Sequence, residues 1–299
     1  MKVLVGGATG LVGGALVDYP TASRTEILRL SRSPAPAGEP TVQWEPSKGV
    51  LPAAELEGID AVVHLAGESI VGRWTGKKKA EILSSRVVGT SLLCETLAGL
   101  SQKPKVLVCA SAVGYYGSRD DEVCTEQSPS GQGFLAQVAI DWEGATAPAR
   151  EAGIRVVNLR IGVVLSPSGG ALAKMMLPFG LGIGGRVGSG RQFMSWVTLD
   201  DLVRIIDHVI LHQEIRGPVN AVAPTAVTNQ QFTRSLGRAM RRPAFLPAPA
   251  FLVKLLLGEM GRALLLSSTR ADPAALRDSG YEFVHPTLDD ALAELVRGT

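Results

Sequence analysis

Cysteine is scarce in this chain: Cys94, Cys109 and Cys124 are the only three, an odd number with no CxxC spacing. That removes a disulfide framework and the usual zinc arrangements, and the thiols are expected to be reduced, two of them buried. An excess of charge is also lacking, with 30 Lys and Arg against 28 Asp and Glu and a formal charge of +2. Neither nucleic acid nor a membrane is therefore expected as a partner, and any phosphate on a ligand must be held by local groups. The most lipid-like stretch, 251–266, carries Lys254, Glu259 and Arg262, and its Leu252, Leu255, Leu256 and Met260 recur at helical spacing. That pattern predicts a core-facing helix and not a membrane span. Met1 and Lys2 run straight into an apolar stretch and a glycine loop, without the h-region of a signal peptide, so the cytosol is the expected compartment. Repeats, low-complexity tracts and long charge blocks are absent too.

What is present is 299 residues with 45% apolar content, enough for one large domain or two small ones. Short β-branched runs at 2–5, 26–30, 61–65, 106–110 and 155–159 alternate with helical stretches such as 84–98, where Val87, Val88, Leu92, Leu93 and Leu97 fall near helical spacing. Such alternation predicts an α/β fold, a doubly wound parallel sheet covered on both faces. After Leu165 the texture changes to a glycine-dense run over 169–190, a strand and helix over 193–212, another short strand, and a tail rich in Pro and Leu. The expected division is a Rossmann part of residues 1–168 and 193–226, with a smaller substrate-side part of 169–192 and 227–299.

The first run, Val3-Leu4-Val5, leads into Gly6-Gly7-Ala8-Thr9-Gly10-Leu11-Val12-Gly13-Gly14 and a helical continuation. Gly7, Gly10 and Gly13 form a GxxGxxG turn at a strand-to-helix junction. Glycine suits a sharp bend, close approach to a pyrophosphate and tight helix packing, while the helix N-terminal amides meet the phosphate charge. An ATP-type loop would need GK[ST], which does not follow these glycines. The end of the second strand decides between dinucleotides, because an acid there binds the NAD ribose and repels a 2′-phosphate. Ser31 and Arg32 occupy that place, and no carboxylate lies between Glu26 and Glu39. A hydroxyl and a guanidinium favour NADP(H) as cofactor; the alternative is that Arg32 is a solvated loop cation.

Further motifs carry a resemblance. Asp60-Ala61-Val62-Val63-His64-Leu65-Ala66-Gly67 resembles the fourth strand of extended short-chain dehydrogenases/reductases, Ser111-Ala112-Val113-Gly114-Tyr115-Tyr116-Gly117 their SSxxVYG segment, and Thr125-Glu126-Gln127-Ser128-Pro129 the stretch before their YxxxK helix. More narrowly, GGATGLVGG, LSRSP, HLAGESI, SAVGYYG, RIGVVL, LPFGLGIGG and SWVTLDDL resemble a divergent, NADP-binding branch of the epimerase/dehydratase superfamily sometimes described as cell-division inhibitors. The resemblance covers nearly the whole chain. It implies cofactor contacts from Gly7, Thr9, Gly10, Leu11, Val12, Gly13, Ser31, Arg32, Leu65, Ala66, Gly67, Glu81, Arg86, Ser111 and Leu165. Glu81 and Arg86 stand near where the relatives' ribose and pyrophosphate run, with inter-helix salt bridging as the alternative, and Leu165 is either beside the nicotinamide or a core leucine.

The superfamily's chemistry needs a Tyr as acid/base, a Lys four residues later and a Ser or Thr against the carbonyl. By the resemblance those places hold Phe134, Val138 and Ala112, with Trp142 and Glu143 following. Standard sugar-nucleotide epimerase chemistry therefore does not follow from the family, and the catalytic residues are left unknown. Tyr115 and Tyr116 are acids in reserve or simply packed. His208 and His212 share a helix face, but Arg204 one turn earlier opposes a metal, and none is expected. The glycines from Gly180 to Gly190 suit a lid or a tight hairpin, with Arg186, Arg191 and Trp196 on the substrate side in the first case. Two functions stand: an oxidoreductase acting on an unknown small carbonyl or alcohol, or a non-catalytic NADP(H) sensor or scaffold read by a partner protein. A homodimer is left open.

Overall fold

Short apolar runs do form the centre of the molecule. In the computed structural model, which describes residues 1–19, 26–34 and 38–297, the elements are β1 (Lys2–Gly6), α1 (Leu11–Asp18), β2 (Glu26–Ser31), β3 (Thr41–Gln43), β4 (Ala61–His64), α2 (Gly76–Gly99), β5 (Val106–Ala112), β6 (Val123–Cys124), α3 (Phe134–Gly144) and α4 (Ala147–Glu151). They continue with β7 (Arg155–Ile161), β8 (Val163–Ser166), α5 (Gly170–Gly180), β9 (Phe193–Met194), β10 (Trp196–Thr198), α6 (Leu199–Leu211), β11 (Gly217–Ala221), β12 (Val227–Thr228), α7 (Asn229–Ala239), α8 (Ala250–Leu265), β13 (Arg270–Ala271), α9 (Ala274–Asp278) and α10 (Leu288–Arg297). Stretches 20–25 and 35–37 of the first expected part, and 298–299 of the second, lie outside the described residues.

Seven strands pair in the order β11-β7-β5-β4-β1-β2-β3, every pair parallel. Because successive side chains of a strand point to opposite faces, β1 feeds two cores. Val3 and Val5 pack with Leu16 of α1 and with Leu202, Ile205, Ile206 and Val209 of α6. Leu4 turns the other way, with Val62, toward Leu93 and Leu97 of α2. Each such leucine or isoleucine contributes about 1.5–3 kcal/mol of burial. The expected doubly wound sheet is what forms. Its strand order reverses between β1 and β4, so α1 and the β4–α2 connection diverge there and leave a crevice at the carboxyl edge.

A third core joins Leu165 of β8, Trp196 of β10, Phe232 and Leu236 of α7, and Leu288, Ala291 and Leu292 of α10. Helix starts follow local rules: the Thr198 hydroxyl accepts from the Asp201 N–H at 3.1 Å, and Thr228 with Gln231 forms a capping box on α7. At the other end of α6, Arg155 donates to the carbonyls of Val209, Ile210 and Ile215 at 2.8–2.9 Å, where a cation suits the helix dipole.

Some expectations need correction. α8 does not turn its leucines to the core: Leu255 and Leu256 are 77% exposed and Phe251 67%, while Val253 and Gly261 face inward and Gly258, at φ 58°, kinks the helix. The inward face is the narrow one, which helical spacing alone does not reveal. All three cysteines, and not two, are buried and free. The glycine run is not a hairpin: 184–188 lies alongside 246–248, with Leu246 N–H donating to Gly184 O at 3.2 Å and Gly188 N–H to Ala248 O at 2.8 Å. Among the described residues no helix is long and apolar enough to cross a membrane.

Candidate functional site

At the crevice the chain interlocks glycine with glycine. Gly7 turns at φ 81° and a Cβ there would stand 2.9 Å from the Ala66 nitrogen; a Cβ on Gly13 would stand 2.1 Å from the Gly7 oxygen. Neither position admits a side chain, and the Gly10 N–H closes the turn on Gly7 O at 3.0 Å. Leu65 N–H donates to Gly6 O at 2.8 Å, so the backbone of 65–66 forms the opposite wall. Thr9 and Gly10 are exposed, Val12 packs beneath against the first core, and Leu11 reaches across to Gly169 and Gly170, whose added Cβ atoms would lie 3.2 Å from it. No side chain caps α1 and no acid occupies its first turn, which leaves its amides directed at the crevice.

One edge of the crevice carries Ser31, half-buried at the end of β2, and Arg32, exposed just beyond. The Ser31 hydroxyl accepts from Ser33 N–H at 3.1 Å, and Glu39 is drawn off to Arg29 at 3.2 Å. The carboxylate facing this corner is Glu68. Its hydrogen bond to Lys78, with smaller contributions from the charges of Lys78, Arg32 and Arg86, holds it below the usual carboxylate range against a modest opposing burial effect.

Glu81 and Arg86 part company. Glu81 is on the outer face of α2, 3.9 Å from Lys77 one turn earlier. Arg86 lies under the 67–68 loop, donating to Glu68 O at 2.9 Å and Ile82 O at 3.1 Å, with its guanidinium 4.9 Å from the Trp142 ring. Gly67 is small for that reason: a Cβ would come within 3.1 Å of the Arg86 Cζ. Burial brings the Arg86 pKa down to about 10, with Glu68 opposing.

Where β5 and β7 end, polar groups gather in a network that spacing and pattern hardly announce. Arg160 donates to both Glu143 oxygens at 2.9 Å and to the Tyr116 hydroxyl at 3.0 Å. Ser111 donates to Glu143 at 2.7 Å, Tyr116 donates to Asn220 Oδ1 at 2.7 Å, and the Asn220 N–H donates to Glu126 at 3.0 Å. An arginine inside an apolar strand, Val156-Val157-Asn158-Leu159-Arg160, was the available signal, since a buried cation needs a partner. Burial pushes the Tyr116 phenol up to about 12, against the pull of Arg160. Tyr116 is thus packed and bonded. Tyr115 is half-buried with its ring 3.5 Å from the Arg160 Cζ, and its hydroxyl has no hydrogen-bond partner among the described residues.

The three places to which the resemblance assigns the acid/base set hold apolar side chains, with the Lys79 ammonium 5.1 Å from the Phe134 ring. Val138 is buried, Phe134 meets Trp74 edge-on at 5.1 Å, and Ala112 offers only a methyl group. Leu165 is fully buried in the third core, as is Trp196, whose indole N–H donates to Thr225 O at 2.9 Å. Arg186 turns back on the carbonyls of Gly188 and Ser189 at 2.9 and 3.0 Å, and Arg191 is exposed. His208 stacks on His212 with centroids 3.7 Å apart, and its Nε2 lies 2.9 Å from the Ser279 hydroxyl.

Residues 3–221 match the model of the NAD dependent epimerase/dehydratase family. The chain belongs to that family. Residues 248–295 of this epimerase-family chain match a domain of unknown function, DUF1731. Over 291 residues it is 43% identical to Epimerase family protein Mb2239 of Mycobacterium bovis, covering 97% of this chain and 96% of that protein. It is 37% identical to Epimerase family protein YfhF of Bacillus subtilis, covering 99% and 98%. Among solved structures, that of human epimerase family protein SDR39U1 (isoform 2) with NADPH superimposes with a TM-score of 0.91 at 35% identity over 100% of both chains. MoeE5 in complex with UDP-glucuronic acid and NAD, at 22% identity and a TM-score of 0.77 over 99% and 98%, shares the fold.

Proposed function

We propose that this chain binds NADP(H) in the crevice and catalyses hydride transfer with a small carbonyl or alcohol, residues 1–168 and 193–226 carrying the cofactor and 169–192 with 227–299 the substrate side. The interlocked Gly7 and Gly13, backed by 65–66 and opening on the uncapped start of α1, carry the reading: a pyrophosphate fits a surface made only of backbone. The human relative crystallised with NADPH supports the same cofactor. Thr9, Gly10, Leu11 and Val12 would line the phosphates, Ser31 and Arg32 would hold the 2′-phosphate, and Leu65, Ala66 and Gly67 would flank the adenosine. Arg86 would brace that loop, Ser111 and Leu165 would serve through backbone, and Glu81 is the weakest member of the set because its carboxylate faces Lys77.

When bound, NADP(H) supplies or takes the hydride. The proton is left to the protein, and Ser111 and Tyr116 are both committed to the buried network. Tyr115, just past the carboxyl end of β5 with its ring over the Arg160 guanidinium and its hydroxyl without a hydrogen-bond partner among the described residues, is the proton donor in this reading. In a panel of aldehydes and ketones, at least one should oxidise NADPH, and Tyr115→Phe should slow that turnover by about a hundredfold or more while leaving NADPH affinity unchanged. An unchanged rate in the variant would dismiss Tyr115. The apolar Phe134, Val138 and Ala112 favour a second reading, a cofactor-occupied sensor with no chemistry. Firm NADPH binding with no turnover across the panel would select it.

A further inference from the structure

A concentration of cations lies at the end of α7. Arg234, Arg238, Arg241 and Arg242 line a groove of about 860 Å³ together with Thr287 and Asp289 at the start of α10. Arg238 holds both Asp289 oxygens, at 2.9 and 3.0 Å. The guanidinium groups of Arg234, Arg241 and Arg242 are exposed and have neither an ion pair nor a hydrogen bond among the described residues. Three positive charges therefore face the groove without a counter-charge.

Local structure shows how they are brought together. Arg234 and Arg238 are one turn apart on α7. The helix then ends in a Schellman turn, Arg242 N–H reaching Gly237 O at 2.9 Å and Arg241 N–H reaching Arg238 O at 3.1 Å. Gly237 lets the chain fold back tightly, since a Cβ there would stand 2.9 Å from Ala244 Cβ. The turn needs a left-handed residue, normally glycine, yet Arg241 occupies it at φ 52°. Backbone preference and mutual repulsion both oppose this arrangement, and an anion across the guanidinium groups would relieve the second.

We propose that this groove binds a small molecule carrying two or more linked phosphoryl groups, of the size of a nucleoside di- or triphosphate. Guanidinium forks match phosphoryl oxygens, several of them together suit a polyanion over a single carboxylate, and the volume lies in the range of about 300–1,000 Å³ typical of small-molecule sites. The groove is independent of the glycine loop and of whether hydride transfer occurs.

Calorimetric titration of the full chain with inorganic tripolyphosphate and with ADP, each with and without saturating NADPH, tests this. Both the Arg242→Ala and Arg241→Gly variants should weaken tripolyphosphate on the order of tenfold. Arg241→Gly should at the same time raise the thermal midpoint by roughly 1–3 °C, because glycine adopts the turn without strain. A purely structural arginine would not lose ligand while gaining stability. ADP binding at least as tightly as tripolyphosphate identifies a nucleotide, and tripolyphosphate alone identifies free polyphosphate; both support the site. The proposal is overturned if neither binds, if the variants bind as the wild type does, if NADPH displaces tripolyphosphate completely, or if an oligonucleotide binds where tripolyphosphate does not.

Discussion

At the scale of single residues, the imidazole of His64 ties stability to pH. It is fully buried at the end of β4, edge-on to Trp44 at 5.8 Å, and neither ring nitrogen has a hydrogen-bond partner among the described residues. Burial lowers its pKa from 6.5 to about 4. Well above pH 6.5 the ring is neutral in folded and unfolded chains alike and contributes nothing to the pH dependence. As pH falls from 6.5 toward 4, the unfolded chain takes up a proton that the fold refuses, and stability declines. The loss is about 1.4 kcal/mol per pH unit and about 3 kcal/mol in all. His64→Leu, close in volume and without polar atoms to strand, should remove that decline and cost little at neutral pH. Urea midpoints at pH 4.5 and 7 for both proteins check this, and equal slopes would count against it. A second prediction concerns what is missing: with Ala112, Phe134 and Val138 where Ser, Tyr and Lys would act, UDP-glucose and UDP-galactose should not interconvert. Product above an enzyme-free control, abolished by a glycine-loop substitution, would contradict that.

Among elements, Asp201 does the work of a rivet. Buried in the first turn of α6, it accepts from the Tyr281 hydroxyl at 3.0 Å and from the N–H groups of Val284 and His285 at 2.9 and 3.0 Å, fixing the chain before α10 to the sheet's helix layer. Asp201→Ala strands those donors and should cost about 2–4 kcal/mol, read as a lowered urea midpoint with the denaturant slope retained; a loss under about 0.5 kcal/mol would place the tail's anchorage elsewhere. The strands and the glycine turn were legible in the sequence because strand alternation and glycine geometry are local. β3 and β11 were harder, β3 with three residues and β11 opening on Gly217-Pro218. The inward face of α8 is not legible because spacing reports that a helix has two faces, not which one meets the protein. The Arg160–Glu143–Ser111 network joins positions up to 49 residues apart, as from Ser111 to Arg160, and pairing over such distance leaves no mark in spacing. Arg86 and Glu81 were indistinguishable on α2 until the 67–68 loop showed which one lay beneath it.

For the molecule as a whole, the parallel sheet, its switch point and the 3–221 family match converge on a dinucleotide crevice, and the proposal assigns the choice of dinucleotide to Ser31 and Arg32 at its edge. NADPH and NADH differ only in the 2′-phosphate. Charge-assisted hydrogen bonds to it from Arg32, with one from Ser31, would be worth on the order of 1.5–3 kcal/mol, a preference of about tenfold to a hundredfold. Because Arg32 is exposed, added salt should narrow the gap. The decisive measurement is a fluorescence titration of NADPH and of NADH against the wild type and Arg32→Ala. The account predicts tighter NADPH in the wild type and a loss in the variant confined largely to NADPH; equal affinities in the wild type, or parallel losses for both cofactors, would contradict it.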